Sequence, residues 1–197
     1  VAKANGARLV YAPEAYPFRF EKLDWARRRT LFSVPEGGTR AIAALGRHYA
    51  GNAATAFAVL AELRGVVPAL TPELVYSVFE GFGWPARFEL FNSKCGGIVI
   101  VDGAHNPQAA AAFADTFTLS PYRHTHGRVL VTAVMSDKDY RGVLERIAPL
   151  FDKIIATQTG SARALPAAEL AAIARDINPK AEVAAEPDPT AALKLAM

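Results

Sequence analysis

The chain has 197 residues, 51% hydrophobic and 21% charged, with a net charge of +3 and a pI near 9.1, a globular balance that excludes a disordered chain. No apolar stretch reaches the ~20 residues a bilayer span needs, and residues 1–8 carry no apolar signal core, so neither a membrane protein nor a secreted one is expected. The lone Cys95 excludes an internal disulfide and suits a reducing compartment, and the basic residues are scattered apart from Arg27-Arg28-Arg29, a solvated turn, so a cytoplasmic protein that binds neither nucleic acid nor membrane is expected.

In chain order, Leu9-Val10-Tyr11-Ala12 reads as a short strand stopped by Pro13. Residues 30–35 read as a second strand, closed by the turn Pro35-Glu36-Gly37-Gly38. Residues 52–63 turn helical, with Phe57, Leu60 and Leu63 at spacings of three. Thr71 then reads as an N-cap with Pro72 at the first helical position, opening a helix that ends at Gly81. Gly83 and Pro85 break both periodicities, which places a domain boundary between 1–83 and 84–197.

Beyond the boundary, strands and helices alternate. Residues 97–101 (GIVIV) are wholly apolar, fit for a strand buried on both faces, and residues 106–117 form an Ala-rich helix with Phe113 and Phe117 four apart. A second buried strand at 128–134 leads to a helix at 140–151. A third strand at 153–157 leads to a helix at 166–177. A fourth short strand at 182–185 precedes a last helix at 189–195. Such alternation specifies an α/β domain with a parallel sheet and right-handed crossovers.

The sharpest chemical signal is Val101-Asp102-Gly103-Ala104-His105-Asn106-Pro107, at a strand's C-terminal end and opening a helix, where open α/β sheets place ligands. Pro107 fits the first helical position, and Asn106 or His105 fits the N-cap. A helix start favours phosphate or carboxylate. Asp102 suits a ribose hydroxyl or a cation, and His105 suits phosphate oxygens. The alternative is that the turn merely caps the helix.

Arg87, in Trp84-Pro85-Ala86-Arg87-Phe88-Glu89, has the planar guanidinium that suits bidentate phosphate recognition, or else pairs with Glu89 at the surface. Asn52 reads either as an N-cap or as an amide matching an adenine edge. In Ser136-Asp137-Lys138-Asp139-Tyr140, Asp137 or Asp139 fits an N-cap and Lys138 could reach an anion. His124 and His126 read as a solvated loop, since no Cys or second His pair accompanies them. Cys95 lacks a convincing catalytic partner. No G-x-G-x-x-G, G-x-x-x-x-G-K-[ST] or G-x-S-x-G occurs.

Together these segments resemble the folylpolyglutamate synthase / dihydrofolate synthase family of the Mur ligase superfamily. Residues 101–107 (VDGAHNP) look like that family's C-terminal-domain signature. WPARFE at 84–89 is similar to its W-P-G-R-x-E, with Ala86 in place of the usual Gly. LGRHYAGNAATA at 45–56 is similar to the segment near the end of the family's central ATPase domain, with Tyr49 where Gln is usual. VMSDKDY at 134–140 and ARALPAAEL at 162–170 follow in the expected order.

The resemblance implies a C-terminal Rossmann-like domain with a mainly parallel sheet flanked by helices (84–197), preceded by the trailing part of a central ATP-binding domain (1–83). It implies an ATP-dependent ligase that activates a carboxylate as an acyl phosphate for attack by the amine of L-glutamate. ATP, Mg²⁺, L-glutamate and a folate or dihydropteroate would be its small-molecule partners, and the state expected is a monomer. By this analogy Asn52 contacts adenine, Arg87 reaches the phosphates, and Asp102 and His105 meet the nucleotide as catalytic residues. The family's P-loop and Mg²⁺ ligands have no counterpart in residues 1–197, so the chain is expected to be the C-terminal part of a larger enzyme and inactive alone. A cell-wall Mur ligase and a non-catalytic nucleotide-binding module are the alternatives.

Overall fold

The chain divides into two units, Val1–Glu89 and Leu90–Met197. The computed structural model describes residues 3–35, 38–93 and 96–197. Cys95 and the Glu36-Gly37 centre of the expected turn lie outside the described residues.

In the first unit, α1 (Ala12–Ala15) precedes β1 (Arg19–Asp24), β2 (Arg29–Ser33) and β3 (Thr39–Ile42), an antiparallel sheet in the order β1-β2-β3. Helices α2 (His48–Leu63) and α3 (Pro72–Gly81) follow. The central strand β2 buries alternate residues, Thr30 and Phe32. Phe32 stacks on Phe18 at 5.3 Å, and Phe57 of α2 stacks on Tyr76 of α3 at 5.2 Å, so aromatic rings fill much of this core. Buried Thr30 is satisfied: its hydroxyl donates to the Ala44 carbonyl at 2.7 Å and accepts from Gly46 N–H at 3.1 Å.

Two expectations need correction here, and one strand forms that was not expected. The strand at 9–12 does not form. Leu9 is 77% exposed and Tyr11 60% exposed, and without a neighbouring ladder strand-forming side chains have nothing to pack on. Conversely β1 forms with little alternation, because pairing with β2 drives it through the irregularity between Phe20 and Lys22. Asn52 is no N-cap, since α2 begins a turn earlier at His48. The pairs Tyr49/Ala50, Ala53/Ala54 and Phe57/Ala58 are all buried, a four-residue repeat that carries the helix back past Gly51. Thr71 does cap α3, accepting from Leu74 N–H at 3.3 Å.

In the second unit, β4 (Glu89–Asn92) and β5 (Ile98–Val101) form a two-stranded sheet. Then come α4 (Pro107–Thr118), β6 (Val129–Thr132), α5 (Tyr140–Ile147), β7 (Lys153–Ala156), α6 (Ala167–Ile177), β8 (Glu182–Ala185) and α7 (Pro189–Ala196). Strands β6, β7 and β8 are parallel in that order, which bears out the α/β expectation. In the middle strand, Ile154, Ile155 and Ala156 are fully buried. Leu144 of α5 and Leu170 of α6 close on Ile154, and buried Ala171 and Ala174 let α6 pack closely.

The two apolar strands expected to be buried are not. Strand β6 lies at the sheet edge and its residues are half-buried. Strand β5 pairs with β4 rather than within the parallel ladder, leaving Ile98 39%, Val99 40% and Val101 38% exposed. A strand with a neighbour on one side only keeps its outer edge open, however apolar its sequence. Among the described residues, no helix is long and apolar enough to cross a membrane.

A bidentate pair ties the starts of β6 and β7: Arg128 Nη2 donates to Asp152 Oδ1 at 2.9 Å, and Arg128 Nε to Oδ2 at 3.2 Å. Arg128 N–H adds a bond to Oδ2 at 3.0 Å. The guanidinium bonds, then the backbone bond, lower the Asp152 pKa from its ordinary value. A carboxylate whose folded pKa is depressed contributes stability above its unfolded pKa and loses it as pH falls through the folded one. The melting temperature of the chain should therefore drop on acidification below the usual carboxylate range, and Asp152→Asn should reduce that pH dependence. Thermal melts followed by circular dichroism across that range check it, and an unchanged slope in the variant would remove Asp152 from the account.

Candidate functional site

The segment between β5 and α4 is organised by its own side chains. Asp102 Oδ1 accepts from Ala104 N–H at 2.8 Å, an Asx-type turn that bends the chain out of the strand. His105 Nδ1 lies 2.9 Å from the Gly103 carbonyl oxygen. A carbonyl only accepts, so Nδ1 carries the proton, and Nε2 of the neutral ring presents a lone pair. Asn106, not His105, is the N-cap: its Oδ1 accepts from Ala109 N–H at 2.8 Å. Asp102 is half-buried and His105 exposed, so the turn presents a carboxylate and an imidazole at one surface.

The helix start itself offers less than the sequence suggested. Pro107 has no N–H, Asn106 occupies that of Ala109, and Ala110 N–H bonds the Asn106 carbonyl at 3.0 Å. Pro107 and the capped Ala109 thus take two of the four N-terminal donors out of play, so the chemistry this turn offers is that of Asp102 and His105 more than of backbone donors.

What fixes the turn in place is the seat of α4 on α5. Asp139, rather than Asp137, caps α5 by accepting from Gly142 N–H at 2.9 Å. A methyl group at Gly142 would lie 2.5 Å from Asp139 Oδ2 and 2.8 Å from Pro107 Cγ. Gly142 was not singled out in the sequence. A glycine inside an amphipathic helix was the available signal, since its cost there is tolerated when a close approach needs it. Lys138 pairs with Asp137 at 3.5 Å, and Asp137 also faces Arg163 at 3.4 Å, so these charges brace the loops after β6 and β7.

The other two predicted site residues belong to the first unit. Asn52 stands on an exposed position inside α2. Arg87 is exposed, and its Nη1 donates to the Ala86 carbonyl at 3.0 Å, with the guanidinium 5.9 Å from the Trp84 ring. It does not take the expected partner, because the Glu89 carboxylate accepts from Ala86 N–H instead, at 2.8 Å.

A family model described as Mur ligase, glutamate ligase domain, matches residues 86–197, more than half of the chain. The chain belongs to this Mur ligase family. The Mycobacterium tuberculosis dihydrofolate synthase/folylpolyglutamate synthase is 35% identical over 64% of this chain and 26% of its own length. A probable bifunctional folylpolyglutamate synthase/dihydropteroate synthase of Halobacterium salinarum is 33% identical over 67% of this chain and 15% of its own. A solved structure of Mycobacterium tuberculosis folylpolyglutamate synthase, complexed with ADP and AMPPCP, is 26% identical with a TM-score of 0.71, covering 91% of this chain and 40% of that one. The Mur ligase chain described here thus spans about a quarter or less of these curated relatives, and their names agree with the resemblance carried by residues 45–56, 84–89 and 101–107.

Within this Mur ligase domain, Gly142→Ala sets helix propensity, worth about 0.8–1.0 kcal/mol in favour of Ala, against overpacking of about 1–3 kcal/mol. Overpacking wins, because one obstructing atom belongs to a ring at the start of α4 and the other to the cap of α5. With about 1 kcal/mol left over, the variant of this 197-residue chain should melt roughly 2–4 °C lower, as read by thermal denaturation. An equal or higher melting temperature would mean that α5 shifts away from α4 at little cost.

Proposed function

We propose that the polypeptide carrying this chain is an ATP-dependent, amide-forming ligase that adds L-glutamate to a folate or dihydropteroate carboxylate through an acyl phosphate. The observation that carries this reading is the Asp102–His105 turn, preorganised at the end of β5 within the residues matched by the glutamate ligase domain. The naming of the relatives as folylpolyglutamate and dihydrofolate synthases supports it. On this reading residues 1–83 are the trailing part of a central ATP-binding domain and 84–197 the C-terminal domain, in a cytoplasmic, monomeric enzyme.

ATP supplies the phosphoryl group, and this chain's residues position and stabilise the charge that moves. Asp102, with one oxygen held by Ala104 N–H, accepts from a ribose hydroxyl or faces a nucleotide-borne cation. His105 has Nδ1–H committed to Gly103, so only its imidazolium form donates at Nε2 to a phosphate oxygen. Arg87 supplies a permanent, planar cation for the phosphates, and Asn52 an amide for the adenine edge. Among the described residues no three His, Cys, Asp or Glu side chains gather to hold a metal ion. The reading therefore assigns Mg²⁺ to the nucleotide phosphates, which ordinarily carry it with only one or two carboxylates, and to ligase sequence outside residues 1–197.

In the ligase that carries this chain, Asp102→Ala and His105→Ala should each lower turnover roughly 100-fold. Glutamate- and ATP-dependent ADP release measures this, and full activity in both variants would remove the site. In His105→Ala, nucleotide affinity should fall roughly tenfold, the scale of one lost hydrogen bond to a charged group, as read by titration calorimetry, and an unchanged affinity would remove His105 from the phosphate role. Residues 1–197 alone should not turn over ATP.

A further inference from the structure

We propose that Glu89 is a positioning residue for Arg87, acting through the backbone of the turn that presents the guanidinium. The inference rests on the phosphate role given to Arg87 above. Ala86 and Phe88, on either side of Arg87, both lie in the left-handed region, at φ +54° and +47°. Residues with a Cβ adopt that conformation rarely, and it persists only where surrounding contacts over-determine it.

Two contacts do so here. On the N-terminal side, Glu89 Oε2 accepts from Ala86 N–H at 2.8 Å, a charge-assisted bond to a half-buried carboxylate. On the C-terminal side, Phe88 is buried and meets the Trp25 ring edge-on at 6.1 Å. Between these anchors Arg87 is left exposed, bonded to the Ala86 carbonyl. An acid two residues from an arginine ordinarily threatens to neutralise it. Here the carboxylate is spent on the backbone amide, so it shapes the turn while leaving the guanidinium charge for an incoming anion. Ala86 sharpens the requirement: a glycine would adopt the left-handed conformation freely, whereas alanine depends on the Glu89 bond to hold it.

The test has a structural and a kinetic arm. In the 197-residue chain, amide exchange at Ala86 followed by NMR should accelerate at least tenfold in Glu89→Ala, and Glu89→Gln, whose side-chain oxygen also accepts, should restore most of the protection. In the ligase, Glu89→Ala should lower kcat/KM roughly tenfold to a hundredfold, the scale of a misplaced binding group. Adding Glu89→Ala to Arg87→Ala should cost less than twofold more, since a residue acting only through Arg87 has nothing further to lose. Unchanged Ala86 exchange, or losses that multiply in the double variant, would overturn the proposal. Wild-type turnover in Arg87→Ala would instead overturn the phosphate role, while the Ala86 exchange reports the clamp independently.

Discussion

The first turn of α5 lies against the first turn of α4, with Gly142 facing Pro107 where no side chain has room. The helix-side support of Asp102 and His105 rests on that approach. On one side of the turn, β5 is held by β4 and stays partly open to solvent, so it is a weak anchor. On the other side α4 is seated firmly: Phe113 stacks on Phe117 at 6.0 Å, and Phe117 reaches Phe151 at 5.4 Å, beyond the end of α5. Through Leu144, Ala148 and Ile154 the same helix layer joins the buried middle strand of the sheet. The candidate site is thus fixed from its helix side, and rigidity reaches it from β7 by way of α5 rather than along its own strand.

Features set by contacts within a few residues were legible in the sequence. Thr71, Asn106 and Asp139 each accept from an amide three residues on; residue type and spacing point to Thr71 outright and narrow the other two to Asn106 or His105 and to Asp137 or Asp139. The β6, α5, β7, α6, β8, α7 succession was legible for a related reason, since apolar runs punctuated by caps and Pro leave few alternatives. What could not be read was partnership at a distance. GIVIV names a strand but not whether a layer covers it, and Leu9-Val10-Tyr11 has the composition of a strand with no strand beside it. The start of α2 was missed because Gly51 looks like punctuation, while the burial of Tyr49 and Ala50 against the first unit's core outweighs its cost. An ion pair of Arg87 with Glu89 or another acid is one alternative the sequence offers, because charge is visible there and a backbone amide in a left-handed turn is not.

For the turn at 101–107, capping and ligand binding are alternatives in the sequence, and its geometry is compatible with both. A carboxylate with one oxygen bonded to Ala104 N–H, and an imidazole with one nitrogen bonded to the Gly103 carbonyl, have each lost rotamer freedom before any ligand arrives. Ordering a flexible side chain on binding costs about 0.5–1.5 kcal/mol, so the local bonds lower that cost for both groups at once. They also constrain chemistry. With Nδ1–H bonded to the Gly103 carbonyl, Nε2 is the ring nitrogen through which His105 would meet a ligand. Arg87 differs in kind: its charge is permanent, its own bond is to a carbonyl, and Glu89 acts on the turn instead of on the charge.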